Sequence, residues 1–153
     1  MNIELKKPTV LNIDEMQQLV SKEVMAGIIL YRSDSEIATT IRSYTIAIAD
    51  ERIIGFAALH IHTKTLAEVR SLVVHEDFRR LGVGKMIVEA LLKEAIVLGL
   101  KEVLTLTYKK EFFEKLGFVE IPKESIPDQK IWQDCIKCKH FPICNEVSLI
   151  KQI

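Results

Sequence analysis

Between the apolar run Leu72-Val73-Val74 and an amphipathic segment that begins at Val83 lies a basic, glycine-spaced turn, Arg79-Arg80-Leu81-Gly82-Val83-Gly84-Lys85. A strand has to give way to a helix across these few residues, which constrains the fold more than any other stretch of the chain. Such a turn lets backbone N–H groups crowd around a phosphate, and the start of the following helix adds the positive end of its dipole. Arg79, Arg80 and Lys85 add mobile positive charge beside those fixed donors. The stretch therefore reads as an anion site, although the same glycines also suit an ordinary loop that only has to turn tightly.

Two common phosphate loops are excluded by position. A Walker-type loop needs glycine where Arg79 stands and Ser or Thr where Met86 stands. A dinucleotide fingerprint needs a third glycine at Ile87. What remains is Arg79-x-x-Gly82-x-Gly84 at a strand-to-helix junction.

A chain of 153 residues fits one domain, spanning residues 1–153, with core enough to fold without disulfides. Lys plus Arg and Asp plus Glu are both 21, so the formal charge is zero, and no basic block points to nucleic acid or a membrane surface. The first residues carry no apolar leader and no apolar run reaches spanning length, so a cytoplasmic location is expected. Three cysteines, an odd number confined to the last part of the chain, do not form a secreted disulfide framework.

Hydrophobic periodicity predicts the elements. Ile3 and Leu5 suggest a short strand, and Ile13, Met16, Leu19, Val20, Val24 and Met25 a core-facing helix capped at Asn12 or Asp14 and stopped near Gly27. Ser33 and Glu36 form a capping box opening a second helix over about 34–42. Runs at 44–49, 53–62 and 67–74 predict an antiparallel meander, with Glu68, Arg70, Leu72 and Val74 on one face of its third strand. A long helix with the stripe Val83, Ile87, Val88, Leu91, Leu92, Ala95 and Ile96 ends at Gly99. Beyond it lie a strand at 102–107, a helix at 110–116 and a strand at 118–121, an order that implies parallel pairing across helical crossovers. The expected class is α/β, a mixed, mostly antiparallel central sheet with helices on both faces, and residues 122–153 read as an irregular, cysteine-containing tail packed on it.

The phosphate turn together with Glu111-Phe112-Phe113-Glu114-Lys115-Leu116-Gly117-Phe118 resembles the GNAT superfamily of acetyl-CoA-dependent N-acetyltransferases over residues 3–121. The resemblance implies that acetyl-CoA is the cosubstrate. Leu72, Val73 and Val74 would pair with its pantetheine arm, the backbone from Arg79 through Arg80, Leu81, Gly82, Val83 and Gly84 to Lys85 would hold its pyrophosphate, and Phe113 would lie beside it. Five further segments narrow the likeness: residues 27–33, 55–60, 67–72, 106–108 and 130–144, the last containing Lys130-Ile131-Trp132-Gln133-Asp134-Cys135. Together they resemble the short, stand-alone bacterial N-acetylglutamate synthases. That likeness implies acetyl transfer to the α-amino group of L-glutamate, the first step of arginine biosynthesis.

Such chemistry needs a base for the ammonium proton, and Glu68, on the strand leading to the turn, is the candidate; the alternative is a solvated carboxylate paired with Arg70. Strand N–H groups near Val73 are candidate donors to the tetrahedral oxyanion. Many GNAT enzymes protonate the leaving thiolate from a tyrosine where this chain has Phe113, so Tyr108 is the candidate substitute acid or substrate contact beside the reading of it as a partly buried structural tyrosine, unless no acid is needed for a thiol of pKa about 8.5. Glutamate carries two carboxylates, and Arg32, Arg70 and Lys130 are the candidate anchors, with His60 contributing from a neighbouring strand. Cys135, Cys138, His140 and Cys144 are weak candidates for a structural zinc site, and reduced packing thiols account better for the same residues. A homodimer is the candidate assembly. Competing functions are acetylation of another small amine or a protein lysine, a non-catalytic acyl-CoA-binding sensor, and a metal-dependent interaction module built on the tail.

Overall fold

The structure is a computed structural model that describes residues 2–127, 134 and 146–153. Its frame is a seven-stranded sheet of order β1-β2-β3-β4-β5-β7-β6, in which β1 is Glu4–Lys6, β2 Tyr44–Ala49, β3 Arg52–Ile61, β4 Leu66–Val74, β5 Glu102–Thr107, β6 Val119–Ile121 and β7 Val147–Gln152. The helices are α1 (Ile13–Met25), α2 (Asp34–Thr39), α3 (Val83–Val97) and α4 (Lys110–Glu114). One core, holding Ile13, Met16 and Val20 of α1 with Tyr44, Ile46 and Phe56, fills one face of the sheet. The other core joins Ile87, Val88 and Leu91 of α3 and Phe113 of α4 to Ala57, Leu59 and Val69.

Local signals account for most boundaries. Ser33 and Glu36 form the expected capping box, Ser33 Oγ accepting the Glu36 N–H at 3.2 Å and Glu36 Oε1 accepting the Ser33 N–H at 3.3 Å. The first helix departs from its prediction. Thr9 Oγ1 accepts the Leu11 N–H and Asn12 Oδ1 accepts the Thr9 N–H, so these side chains cap a short 3₁₀ turn, Val10–Asn12, ahead of α1. Met25 is exposed rather than core-facing, as is Ile96 at the end of the α3 stripe, each one position past a residue, Val24 or Ala95, that packs inward.

Two differences matter for function. The pairing β1-β2-β3-β4 is antiparallel and β4–β5 parallel, as the element order implies. The expected parallel pairing of the next two strands fails, because β7 lies between them and pairs antiparallel with both. Part of the supposed irregular tail is thus an internal strand, with Ser148 and Leu149 buried. The second difference is a bulge in β4. Phe56 faces Val73 while Ala58 faces Arg70, so two steps along β3 match three along β4. The extra residue brings Ser71 to φ 61°, in the left-handed region. Strict alternation therefore breaks: Val73 joins the Arg70 face and packs with Phe56 and Ala58, while Leu72 and Val74 turn to the α3 side. Among the described residues, no helix is long and apolar enough to cross a membrane.

Candidate functional site

Strands β4 and β5 pair only from Leu66 to Glu68 against Glu102 to Leu104. Beyond that point no described strand occupies this edge of β4, and the two strands diverge around a cleft of about 480 Å³. Val69 to Val74 line one wall, Thr105 to Lys109 and Phe113 the other, and the α1–α2 loop from Gly27 to Arg32 the mouth. At the fork, the buried Thr105 Oγ1 donates to the Val69 carbonyl at 3.0 Å, satisfying one group that the lost ladder would orphan. The edge from Val69 to Val74 is a template for an extended ligand, since a strand edge offers N–H and C=O groups in a row.

The basic turn closes one end of this cleft. Arg80 and Gly82 have positive φ, 69° and 80°, and the first intrahelical bond of α3 runs from the Met86 N–H to the Gly82 carbonyl. The N–H groups of Val83, Gly84 and Lys85 therefore have no acceptor within the helix. A Cβ on Gly82 would meet nothing within 4 Å, so glycine is required there for conformation and not for space. At Gly84 it would come 3.4 Å from the Phe112 ring and 3.7 Å from Val74 Cγ2, ordinary van der Waals contact, so a methyl group would fit there. Arg79 is fixed from two sides: Nε donates to the Val74 carbonyl at 3.1 Å and Nη2 pairs with Glu23 Oε1 at 3.1 Å. Arg80, Leu81 and Lys85 are exposed and Val83 is buried.

Deeper in the cleft the charged groups gather. Glu68 is 1% exposed, which removes the reading of it as a solvated carboxylate; its Oε1 lies 2.9 Å from His62 Nε2. His60 is the cross-strand neighbour of Glu68, and its ring meets that of His62 edge to face at 4.8 Å. Arg32 and Arg70 converge on one carboxylate, that of Asp134: Arg32 Nη1 donates to Oδ1 at 2.6 Å and Arg70 Nη1 to Oδ2 at 3.0 Å. The backbone of Arg32 is held in turn, its carbonyl accepting from Gln17 Nε2 of α1 at 2.9 Å.

Electrostatics follow from this packing. Burial alone draws the Arg32 guanidinium down, but the hydrogen bond and charge of Asp134 outweigh it and leave Arg32 above its ordinary value. At Arg70, burial and the neighbouring Arg32 charge prevail and lower it. Burial also raises the Tyr44 phenol, which sits near both arginines. Both guanidiniums remain cations near neutrality.

Of the residues singled out in the sequence, Glu68, Arg32, Arg70, Arg79 and Leu72 to Val74 thus border one cleft, together with Tyr108, 45% exposed just past β5, and the buried Phe113. Phe113 packs edge-on against Phe112 and Phe118 with ring centroids 5.0 and 5.2 Å away. Lys130, Cys135, Cys138, His140 and Cys144 lie outside the described residues. Sequence reasoning missed His62 and Asp134. His62 sits just after a strand end, and Asp134 lies between Lys130 and Cys135, the residues of that segment whose chemistry the sequence makes conspicuous.

Comparison with known proteins agrees with this geometry. The family model for an acetyltransferase (GNAT) domain matches residues 41–120. An uncharacterized N-acetyltransferase of Chlorobaculum tepidum is 41% identical over 130 residues, 83% of this chain and 81% of that protein. The amino-acid acetyltransferase of Pasteurella multocida is 30% identical over 128 residues, 82% of this chain but only 29% of that longer protein. In fold the chain is similar to N-acetylglutamate synthase of Neisseria gonorrhoeae, solved with coenzyme A and N-acetyl-glutamate. That similarity has a TM-score of 0.87 at 19% identity and covers 99% of this chain and 35% of the other.

Proposed function

The chain belongs to the GNAT acetyltransferase family, and on that premise we propose that it transfers the acetyl group of acetyl-CoA to the α-amino group of L-glutamate, the acetylation that opens arginine biosynthesis. The observation that carries the acceptor is the convergence of Arg32 and Arg70, 10% and 9% exposed in their side chains, at the cleft that also holds Glu68. Two forked cations suit an acid-bearing amine far better than a polyamine, which they would repel.

In this mechanism the pyrophosphate of acetyl-CoA lies on the N–H groups that open α3, with Arg79 alongside, and the pantetheine arm extends along the unpaired edge of β4. Arg32 and Arg70 anchor the acceptor carboxylate; Lys130, by the family resemblance alone, is a further candidate anchor, and His60, the cross-strand neighbour of Glu68, a candidate polar contact. Glu68 takes the ammonium proton, directly or through water, and the free amine attacks the thioester carbonyl in a ternary complex. Backbone N–H groups at the Ser71–Val73 bulge stabilise the tetrahedral oxyanion, and collapse breaks the C–S bond and forms the amide, the second proton of the amine nitrogen being given up to leave in the end with CoA as its thiol. Tyr108, which lines the cleft, is the candidate to protonate the departing thiolate, which at a pKa of about 8.5 is already a competent leaving group.

The test is product identification by mass spectrometry after incubation with acetyl-CoA and a panel of amino acids, polyamines and a lysine peptide. N-acetylglutamate as the main product is expected. Turnover of a different amine alone would overturn the acceptor while keeping the family, and binding of acetyl-CoA with no turnover of any amine would favour an acyl-CoA sensor.

A further inference from the structure

The same cleft contains a buried acid that the mechanism above does not use. Asp134 is 3% exposed and bridges side chains 102 and 64 residues away in sequence, one oxygen to each guanidinium. We propose that Asp134 is a positioning residue, an internal counterion that holds Arg32 and Arg70 together as a two-pronged fork for the acceptor carboxylate. The inference rests on the reading of this cleft as an amino-acid acceptor site.

Three observations carry it. First, Arg32 and Arg70 reach the site from unrelated elements, the loop before α2 and the strand β4, so nothing in the local chain fixes their separation. A carboxylate that gives Oδ1 to one and Oδ2 to the other does fix it. Second, two guanidiniums withdrawn from water beside one another repel, and the shared carboxylate offsets that repulsion and part of the desolvation. The triad itself carries one net positive charge, with Glu36 Oε2 at its more exposed side 4.0 Å from Arg32 Nη1, and so still favours a ligand carboxylate as a counterion. Third, the fork keeps unspent donors. Each guanidinium carries five N–H groups, and Asp134 takes one terminal nitrogen from each. The Nε atoms of both arginines are buried with no partner among the described residues. A site completed by protein alone leaves no such capacity.

The alternative is that Asp134 occupies the acceptor's place and competes with it, and the two readings predict opposite changes. If Asp134 organises the fork, Asp134→Asn raises the KM for L-glutamate at least tenfold, roughly 1.4 kcal/mol. The dissociation constant for acetyl-CoA stays within about twofold, and kcat falls less than KM rises. Added formate restores part of the lost glutamate affinity to Asp134→Ala by supplying a carboxylate to the vacated position. A purely structural role would instead weaken acetyl-CoA binding and thermal stability together and would not respond to formate.

An unchanged or lowered KM in Asp134→Asn overturns the proposal, even while turnover of glutamate by the wild type upholds the acceptor reading. Absence of amino-acid turnover by the wild type overturns the acceptor reading itself. Should Asp134→Asn not fold, Asp134→Glu decides, since it keeps the charge and shifts the oxygens by one methylene: a raised glutamate KM with unaltered acetyl-CoA binding supports the positioning role, and an unaltered KM overturns it.

Discussion

Replacing Glu68 by Gln keeps the side chain's volume at a position that is 1% exposed, so no cavity opens and the sheet is undisturbed. What changes is the charge. Gln accepts a hydrogen bond from His62 but takes no proton, so the reaction loses its base while its binding groups remain. A positioned general base contributes about 10²–10⁴ in rate, which at 1.36 kcal/mol per tenfold corresponds to roughly 2.7–5.4 kcal/mol of barrier. Stability changes less and with opposing signs: the contact to His62 loses its charge assistance, falling from about 1.5–3 to about 0.5–1.5 kcal/mol, and the cost of burying a carboxylate disappears. The assay is CoA release followed across pH, with acetyl-CoA binding measured in parallel. Without a base the enzyme depends on amine already deprotonated in solution. The variant's rate should therefore rise about tenfold per pH unit below the ammonium pKa, with the loss greatest at low pH and acetyl-CoA affinity retained. A variant whose pH–rate profile has the wild-type shape would remove Glu68 from the mechanism.

Other perturbations separate the parts of the site. Arg32→Ala should raise the glutamate KM at least tenfold and leave acetyl-CoA affinity unchanged, and equal losses in initial-rate assays would indicate a folding defect instead. Gly82→Ala, at φ 80°, should cost about 1–2 kcal/mol of stability in chemical denaturation and weaken CoA binding by calorimetry, while leaving the glutamate KM alone. Leu149→Ala, in a strand whose Leu149 is fully buried, should lose about 2–5 kcal/mol in the same unfolding experiment. A loss under about 1 kcal/mol would contradict the placement of β7 inside the sheet.

Features encoded within a few neighbouring residues were legible in the sequence. The Ser33–Glu36 capping box, the glycine-spaced turn before α3 and the α3 stripe through Ala95 need only local spacing to be read. The bulge was not, because serine carries no sign of a left-handed backbone; Ser71 adopts φ 61° in register with β3, and that pairing is non-local. Its consequence, moving Val73 to the Arg70 face and Leu72 and Val74 away from it, follows only once the register is known. The position of β7 was hidden for a similar reason. Val147 to Gln152 is a short β-prone run, but nothing in it says that it enters between β5 and β6. At the site, Glu68, Arg32 and Arg70 were legible as residue types in matched segments. Their actual partners were not, since His62 lies across a turn from Glu68 and Asp134 approaches the arginines from far along the chain.

In the proposed function the cleft recognises an amino acid by its carboxylates and acetylates its amine. The most direct measurement is the kcat/KM for L-glutamate beside those for L-glutamine and L-glutamate α-amide, each lacking one carboxylate, under saturating acetyl-CoA. Glutamate should exceed both amides by at least tenfold, about 1.4 kcal/mol for each lost charged contact. Equal or better turnover of either amide would contradict the account, since the corresponding carboxylate would then have no cation to meet.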